Sequence, residues 1–424
     1  MSHLLDISQY ANQKQLSLQH YLIKMINKIL SDTDNNSKGE INAVLATLYD
    51  WKEAFPRQCP KLGVEAFMKC GVRSSLIPVI ISYLQGRTMK VKWHGHTSST
   101  RELNGGGPQG ATFGIWEYLA QSNSNADCVN LDYRFKFVDD LTVLEKINLL
   151  IVGLCSFNSK LSVPNDIPNH NQYIPAECLE SQKYLEKIQL WTENQKMILN
   201  TKKTKAMVFN FTDNYQFGTR LTLKEQNIEI VAKAKLLGVI ITDDLKWEEN
   251  TASLVKRANS RMELLRKVAS FGTSAEEKRN IYILYIRSVL EQSCVVWHSS
   301  LTKQNQEDLE RVQKSAVRII NGKDIPDYDE ALVQANLDSL ETRRKELCLN
   351  FALKCVKSQK SKNLFPLRVK EHEMEIRDQE KYCVQNANTD RLKNSTIPYM
   401  QRLLNMNEES DVMQKSKLRI RMLG

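Results

Sequence analysis

The residues best suited to chemistry are three aspartates. Asp139 and Asp140 stand side by side between Tyr133, Phe135 and Phe137 on one flank and Leu141 and Val143 on the other. That alternation predicts two short strands around a tight acidic turn. A hairpin tip ordinarily takes Asn-Gly or Asp-Gly, and adjacent carboxylates repel unless a cation or water screens them. A hard ion such as Mg²⁺ needs one or two carboxylates and leaves its other positions to substrate phosphates. A solvated acidic turn has the same composition, so the pair alone does not choose. Asp50 adds a third carboxylate, after the β-like run Ile41 to Leu48 and 89 residues before Asp139. Neighbouring strands of one sheet would bring it beside the pair. Such a cluster suits two metal ions, one activating a 3′-hydroxyl and one steadying a leaving pyrophosphate.

Between these aspartates lies Asn104-Gly105-Gly106-Gly107-Pro108-Gln109-Gly110. Its glycines permit close backbone approach to a ligand, although a bare turn uses the same residues. No Gly-Lys-Ser/Thr ending follows, which argues against a P-loop.

The elements that must hold these residues can be read from periodicity. Leu16, Leu18, Leu22, Ile23, Met25, Ile26 and Ile29 predict an amphipathic helix over 16–30, with Ser17 as its N-cap. Residues 32–39 read as a loop, and 73–85 as a helix. Met89, Val91 and Trp93 alternate with Lys90 and Lys92, which predicts a strand exposed on one face. A helix over 111–119, a loop over 155–176, a helix over 180–196 and a strand over 206–211 follow. Beyond Trp247 the apolar spacing turns helical, as in Leu254, Ala258, Met262, Leu265 and Val268, and again in Leu309, Val312, Ala316, Ile319 and Ile320. The shift from mixed to helical pattern near residue 250 marks a domain boundary.

Composition bounds the reading. With 424 residues, 42% of them hydrophobic, the chain can bury real cores in two or three domains. The most apolar run, Leu76 to Leu84, is nine residues long and holds Pro78, too short for a membrane helix. The N-terminus has no basic segment followed by a long apolar run, so no secretory signal is visible. Nine Cys without a C-x-x-C pair fit reduced intracellular thiols. Lys and Arg number 59 against 49 Asp and Glu, a net charge of +10 that invites a polyanionic partner. From Leu245 onward the net is +7, with the densest basic track running from Arg343 to Lys370. That track suits a phosphate backbone, and a solvated helix face gives a similar pattern.

The order of these motifs resembles the reverse transcriptase of non-LTR (LINE/jockey-like) retrotransposons. Gln9 to Ser17 is similar to the family's Q-x-G-F-x-x-x-x-S segment, and Asp50-Trp51-Lys52-Glu53-Ala54-Phe55 to its D-x-x-K-A-F-D motif. Gly106 to Gly110 resembles G-x-P-Q-G, and Phe137-Val138-Asp139-Asp140 the Y/F-A/V-D-D box. Trp191, Asn194 and Leu199 to Lys205 resemble W-x-x-x-N followed by L-N-x-x-K-T. Leu236-Leu237-Gly238-Val239 and Asp244 to Trp247 resemble the stretch leading into the thumb, and Arg287 to Trp297 with Leu309 to Lys314 the helices beyond it. The likeness covers roughly residues 9–320.

The resemblance implies an α+β fold: a right-hand polymerase palm with partial fingers, followed by an all-helical thumb and a C-terminal helical extension. Its expected divisions are 1–45 partial fingers, 46–250 palm, 251–330 thumb and 331–424 a basic helical region. It implies an RNA-directed DNA polymerase acting on an RNA template, a DNA primer and dNTPs, with two Mg²⁺ ions for which Mn²⁺ is a substitute. Asp50 and Asp139 would be the main metal ligands, with Asp140 beside them. Lys203 would approach the triphosphate and give a proton to pyrophosphate. Phe55 occupies the slot where an aromatic ring rejects a ribose 2′-hydroxyl. Gln109 and Gly110 would line the nucleotide pocket, and Leu237 and Gly238 the primer grip. The chain departs from the family at Pro56, where the first motif has a second acidic residue, and at Ala11, where Gly is usual. The family's upstream finger strands and endonuclease have no counterpart before Gln9, and no Cys/His knuckle follows. The expectation is therefore a truncated copy, nuclear or cytoplasmic, without a membrane span. The alternative is a catalytically silent remnant that only binds nucleic acid.

Overall fold

The residues Leu18–Asp32 form helix α1, two residues inside the expected start. In this computed structural model, residues 5–34, 40–108, 110–149, 172–212, 217–322, 327–368 and 381–407 are described. They fall into two compact units: residues 1–21 with 37–231, and residues 22–36 with 232–424.

The first unit is built on a central strand. Asn42–Tyr49 (β1) is buried at seven of its eight positions. Both of its faces are covered, which is why it reads as a continuous apolar run and not as an alternation. Helices α2 (Pro60–Lys69) and α3 (Ile77–Leu84) follow, each opened by a proline in its first turn, where a missing N–H costs nothing. A slender hairpin comes next, pairing β2 (Thr88–Met89) with β5 (Arg101–Glu102) and β3 (Lys92–Trp93) with β4 (His96–Thr97). Helix α4 (Thr112–Gln121) then leads to β6 (Arg134–Phe137) and β7 (Asp140–Asn148). The five-stranded sheet runs in the order Glu229–Ile230, Lys205–Phe209, β1, β7, β6, and β1 is antiparallel to both its neighbours. Leu45, Tyr49, Val143 and Ile147 pack with Leu185 and Ile188 of the helix Glu180–Asn194 in one core. Phe67, Ile80, Leu84 and Ala120 make a smaller core among α2, α3 and α4.

Two expectations are corrected. The strand expected over 89–93 is two two-residue strands, and they are exposed on both faces. Helix α2 has no counterpart among the elements expected from the sequence. Of the loop expected over 155–176, residues 155–171 lie outside the described residues, whereas Gln172–Ile174 is a short strand.

The second unit opens with the hairpin of Lys233–Leu236 and Val239–Thr242, then turns helical. Glu248–Ser270 buries Leu254, Ala258, Met262 and Leu265, and Lys303–Asn321 buries Leu309, Val312, Ala316 and Ile320, the stripes their spacing predicts. The basic track does not form one solvated face. Arg344 is fully buried in the helix Leu340–Lys357, and Arg343 pairs with Glu291 and Glu346. Among the described residues no helix is long and apolar enough to cross a membrane.

The edge of the sheet is fixed by a buried ion pair. Lys136 Nζ of β6 lies 2.6 Å from the Asp6 carboxylate, both side chains almost fully buried, and Arg134 reaches the same carboxylate at 3.1 Å. Burial opposes the charge on Asp6, but Lys136 and Arg134 hold its carboxyl below the usual range. Removing Lys136 takes the nearer cation from a poorly hydrated carboxylate and leaves it to Arg134 alone. Lys136→Met is expected to lower stability by about 3 kcal/mol in urea denaturation, and adding Asp6→Asn in the same chain should restore part of that loss.

Candidate active site

Register brings the aspartates together. β1 and β7 pair as Tyr49↔Leu141 and Leu48↔Thr142, so Asp50, the next residue after β1, comes level with Asp140. β6 and β7 pair as far as Phe137↔Asp140, which leaves Val138 and Asp139 as the turn. The Trp51 indole N–H donates to the Asp139 carbonyl at 2.7 Å and ties the turn to the end of β1.

The turn is strained. Val138 has φ +57, a left-handed conformation that β-branched residues avoid and that persists only where its surroundings impose it. Gln9 imposes it here: its side-chain oxygen accepts the Val138 N–H at 3.1 Å and the Ala11 N–H at 3.0 Å. Asp139 is exposed and Asp140 half-buried. Partial burial pushes the Asp139 carboxyl up, and the Asp50 charge adds to it. Asp140 is pushed up to about 6, by burial first and then by Asp139 and Asp50. Asp50 Oδ1 is buried with no hydrogen-bond partner.

This donor set is all hard oxygen, and an orphaned carboxylate oxygen faces no protein donor, as a hard divalent ion requires. Among the described residues no three His, Cys, Asp or Glu side chains are grouped to hold one ion.

Phe55 packs on a second ring that feels the charge of the aspartates. Its centroid is 4.9 Å from that of Tyr118, a fully buried residue whose hydroxyl has no partner. Burial, then the charges of Asp139 and Asp140, pushes that hydroxyl well above the usual range. The glycine loop docks on the same segment: Gly106 N–H donates to Gln58 O at 2.8 Å and Gly107 N–H to Phe55 O at 3.0 Å. The Arg87 guanidinium donates to the carbonyls of Gly105 and Gly106. A Cβ on Gly107 would lie 1.7 Å from Gln58 Oε1, so any larger residue there would have to displace the Gln58 side chain. Gln109 lies outside the described residues, and Gly110 is exposed at φ +79.

The segment carrying Lys203 runs alongside Asp50. Asn200 N–H donates to Asp50 O at 2.8 Å, Asp50 N–H donates to Thr204 Oγ1 at 3.3 Å, and Lys52 N–H donates to Ile198 O at 2.8 Å. Lys203 itself is exposed in that turn. Leu237 and Gly238 belong to the second unit, at the tip of its hairpin with φ +48 and +85.

Gln58 and Glu117 carry weight that the sequence reading missed. They are 1% and 0% exposed, and no polar atom of either side chain has a hydrogen-bond partner. Both border Gly107, and Glu117 also sits against Gly63 of α2. Burial pushes the Glu117 carboxyl up to about 7, with Arg87 pulling the other way. The available signal was a lone acid in the apolar run Phe113 to Leu119.

A carboxyl whose pKa is raised on folding binds more protons in the native state. Its stabilising contribution is present below the unfolded value near 4.5 and is lost as pH rises through about 7. Wild type should therefore lose stability relative to Glu117→Gln between those pH values, read as the pH dependence of the difference in urea midpoints.

No protein-family model and no curated protein matches the chain. Among solved structures it is similar to apo telomerase from Candida tropicalis, with a TM-score of 0.39 and 11% identity over 84% of this chain and 56% of that one. It is also similar to telomerase from Candida albicans in complex with a TWJ fragment of telomeric RNA, with a TM-score of 0.37 and 13% identity over 80% of this chain and 50% of that one. The chain thus spans about half the length of these telomerase chains.

Proposed function

We propose that this chain carries the polymerase core of a non-LTR retrotransposon reverse transcriptase, adding dNMP to a primer 3′-hydroxyl under an RNA template. The observation that carries the reading is the β1–β7 register, which brings Asp50 level with Asp140, the residue after the Val138-Asp139 turn. Two motifs 89 residues apart in sequence, each matching its family counterpart, meet at one sheet end.

Asp50 and Asp139 are the residues to hold Mg²⁺ or Mn²⁺, with Asp140 beside them. Such ions, when bound, activate the primer hydroxyl and neutralise charge on the departing pyrophosphate. The chain's own residues do the rest. Phe55, braced on Tyr118, selects against a ribose 2′-hydroxyl by bulk. The glycine loop is fixed by Phe55, Gln58 and Arg87, and Gln109 and Gly110 are the residues assigned to the nucleotide. Lys203, exposed and held beside Asp50 through Asn200, offers its ammonium to the triphosphate and a proton to pyrophosphate. Leu237 and Gly238 form the primer grip, and the helices after Glu248 track the template–primer duplex through its backbone. Such a protein works in the nucleus or cytoplasm.

The test is primer extension on poly(rA)·oligo(dT) with Mg²⁺. Wild type should extend the primer, and Asp139→Asn should fall to the level of the protein-free control. Phe55→Val should extend with dTTP and gain incorporation of UTP. Template–primer binding without extension by the wild type would replace this reading with the silent remnant.

A further inference from the structure

The hairpin from Thr88 to Glu102 has no part in the site described above, yet it is carefully built. Its tip is His94-Gly95, with φ +44 and +83, the two-residue turn whose twist matches that of paired strands. Trp93 pairs with His96 across that tip, and Met89 with Arg101 nearer the base. All residues from Thr88 to Glu102 are exposed. Trp93 is 72% exposed, Val91 56% and Met89 45%. A lone two-stranded hairpin is only marginally stable in water, and contiguous exposed apolar side chains mark an interaction surface.

Charge identifies the partner. Lys90, Lys92 and Arg101 face a single acid within the arm, Glu102, and none of the three cations has an ion-pair partner among the described residues. His94 sits edge-on to Trp93 with ring centroids 4.8 Å apart, so two aromatic rings project together among these cations. A protein interface tends to lose its lysines, whereas proteins that hold unpaired nucleic acid combine cations along the backbone with aromatic rings on which bases stack. We propose that the arm Thr88–Glu102 binds an unpaired nucleic-acid strand, Trp93 stacking on a base while Lys90, Lys92 and Arg101 neutralise phosphates.

Binding is independent of primer extension, so the proposal stands or falls apart from the polymerase reading. The test uses the full chain and a fluorescein-labelled oligouridylate of about twenty nucleotides, long enough to span an arm-sized site. Affinity is read by anisotropy at several salt concentrations. Trp93→Ala is expected to weaken binding about tenfold with the salt slope unchanged, and Trp93→Phe, which keeps a ring, to retain most of the affinity. Lys90→Gln with Lys92→Gln should reduce the slope of log affinity against log salt by about 1.4, two phosphate contacts' worth on a single strand. The proposal is overturned if wild type does not bind the strand, or if these variants bind as wild type does. It is also overturned if a duplex of equal length competes equally well, or if Trp93→Ala converts a dimer to a monomer, since the arm would then contact a second copy.

Discussion

The first unit depends on one register. Because side chains alternate along a strand, slipping β7 by a single residue against β1 would turn Leu141, Val143 and Ile147 away from the core. The same slip would separate Asp50 from Asp140. Core burial and the gathering of carboxylates are therefore one constraint, not two. The apolar residues, by insisting on the register, hold the aspartates closer than their own charges favour. Neighbouring carboxylates with restricted hydration resist ionisation, as the upward shifts of Asp139 and Asp140 record. A cation is what would relieve that resistance.

Such a turn needs restraints that do not come from the sheet alone. Val138 in a left-handed conformation costs free energy on the order of 1–3 kcal/mol, and its restraint comes from residues at the other end of the sequence. Gln9 accepts the Val138 N–H, and two residues before Val138 the buried Lys136 is pinned by Asp6. Tyr21 closes the same corner, its hydroxyl 2.6 Å from Thr142 Oγ1 and its ring against Phe135 and Phe137. The segment around Gln9 thus serves as a brace for the acidic turn, which gives a physical reason for a glutamine so far from the aspartates it serves.

The sequence disclosed features set by local periodicity and hid those set by contact. Leu254, Ala258 and Met262 announce a buried helical stripe, and Phe135, Phe137, Leu141 and Val143 announce two strands and a turn. Such patterns depend only on neighbours in the chain. The helix that Pro60 opens went unannounced, because proline opens a helix as readily as it ends one. Arg344 misled differently: a cation in a basic track reads as solvated, but the helix turns it inward to His298. Glu117 and Gln58 are polar residues without local meaning, and only the approach of Gly63 and Gly107 shows that the fold has enclosed them. That Asp50 ends level with Asp140 could not be read from spacing, since 89 residues between Asp50 and Asp139 contain no geometry.

Helix α4 explains how a glycine loop and a carboxylate cluster share one frame. Successive residues on a helix point about 100° apart, so Glu117 and Tyr118 serve different neighbours from one backbone. Glu117 turns to Gly63, Gly107 and Gln58, beneath the loop. Tyr118 turns to Phe55 and the aspartates. Phe55 closes the circuit, because its carbonyl accepts the Gly107 N–H while its ring rests on Tyr118. Displacing the loop therefore strains the Phe55 backbone, and displacing the ring strains α4. Neither can move far alone, so the distance between the loop and the carboxylates at the sheet end is set by packing. At Gly107 a Cβ would drive the Gln58 side chain aside.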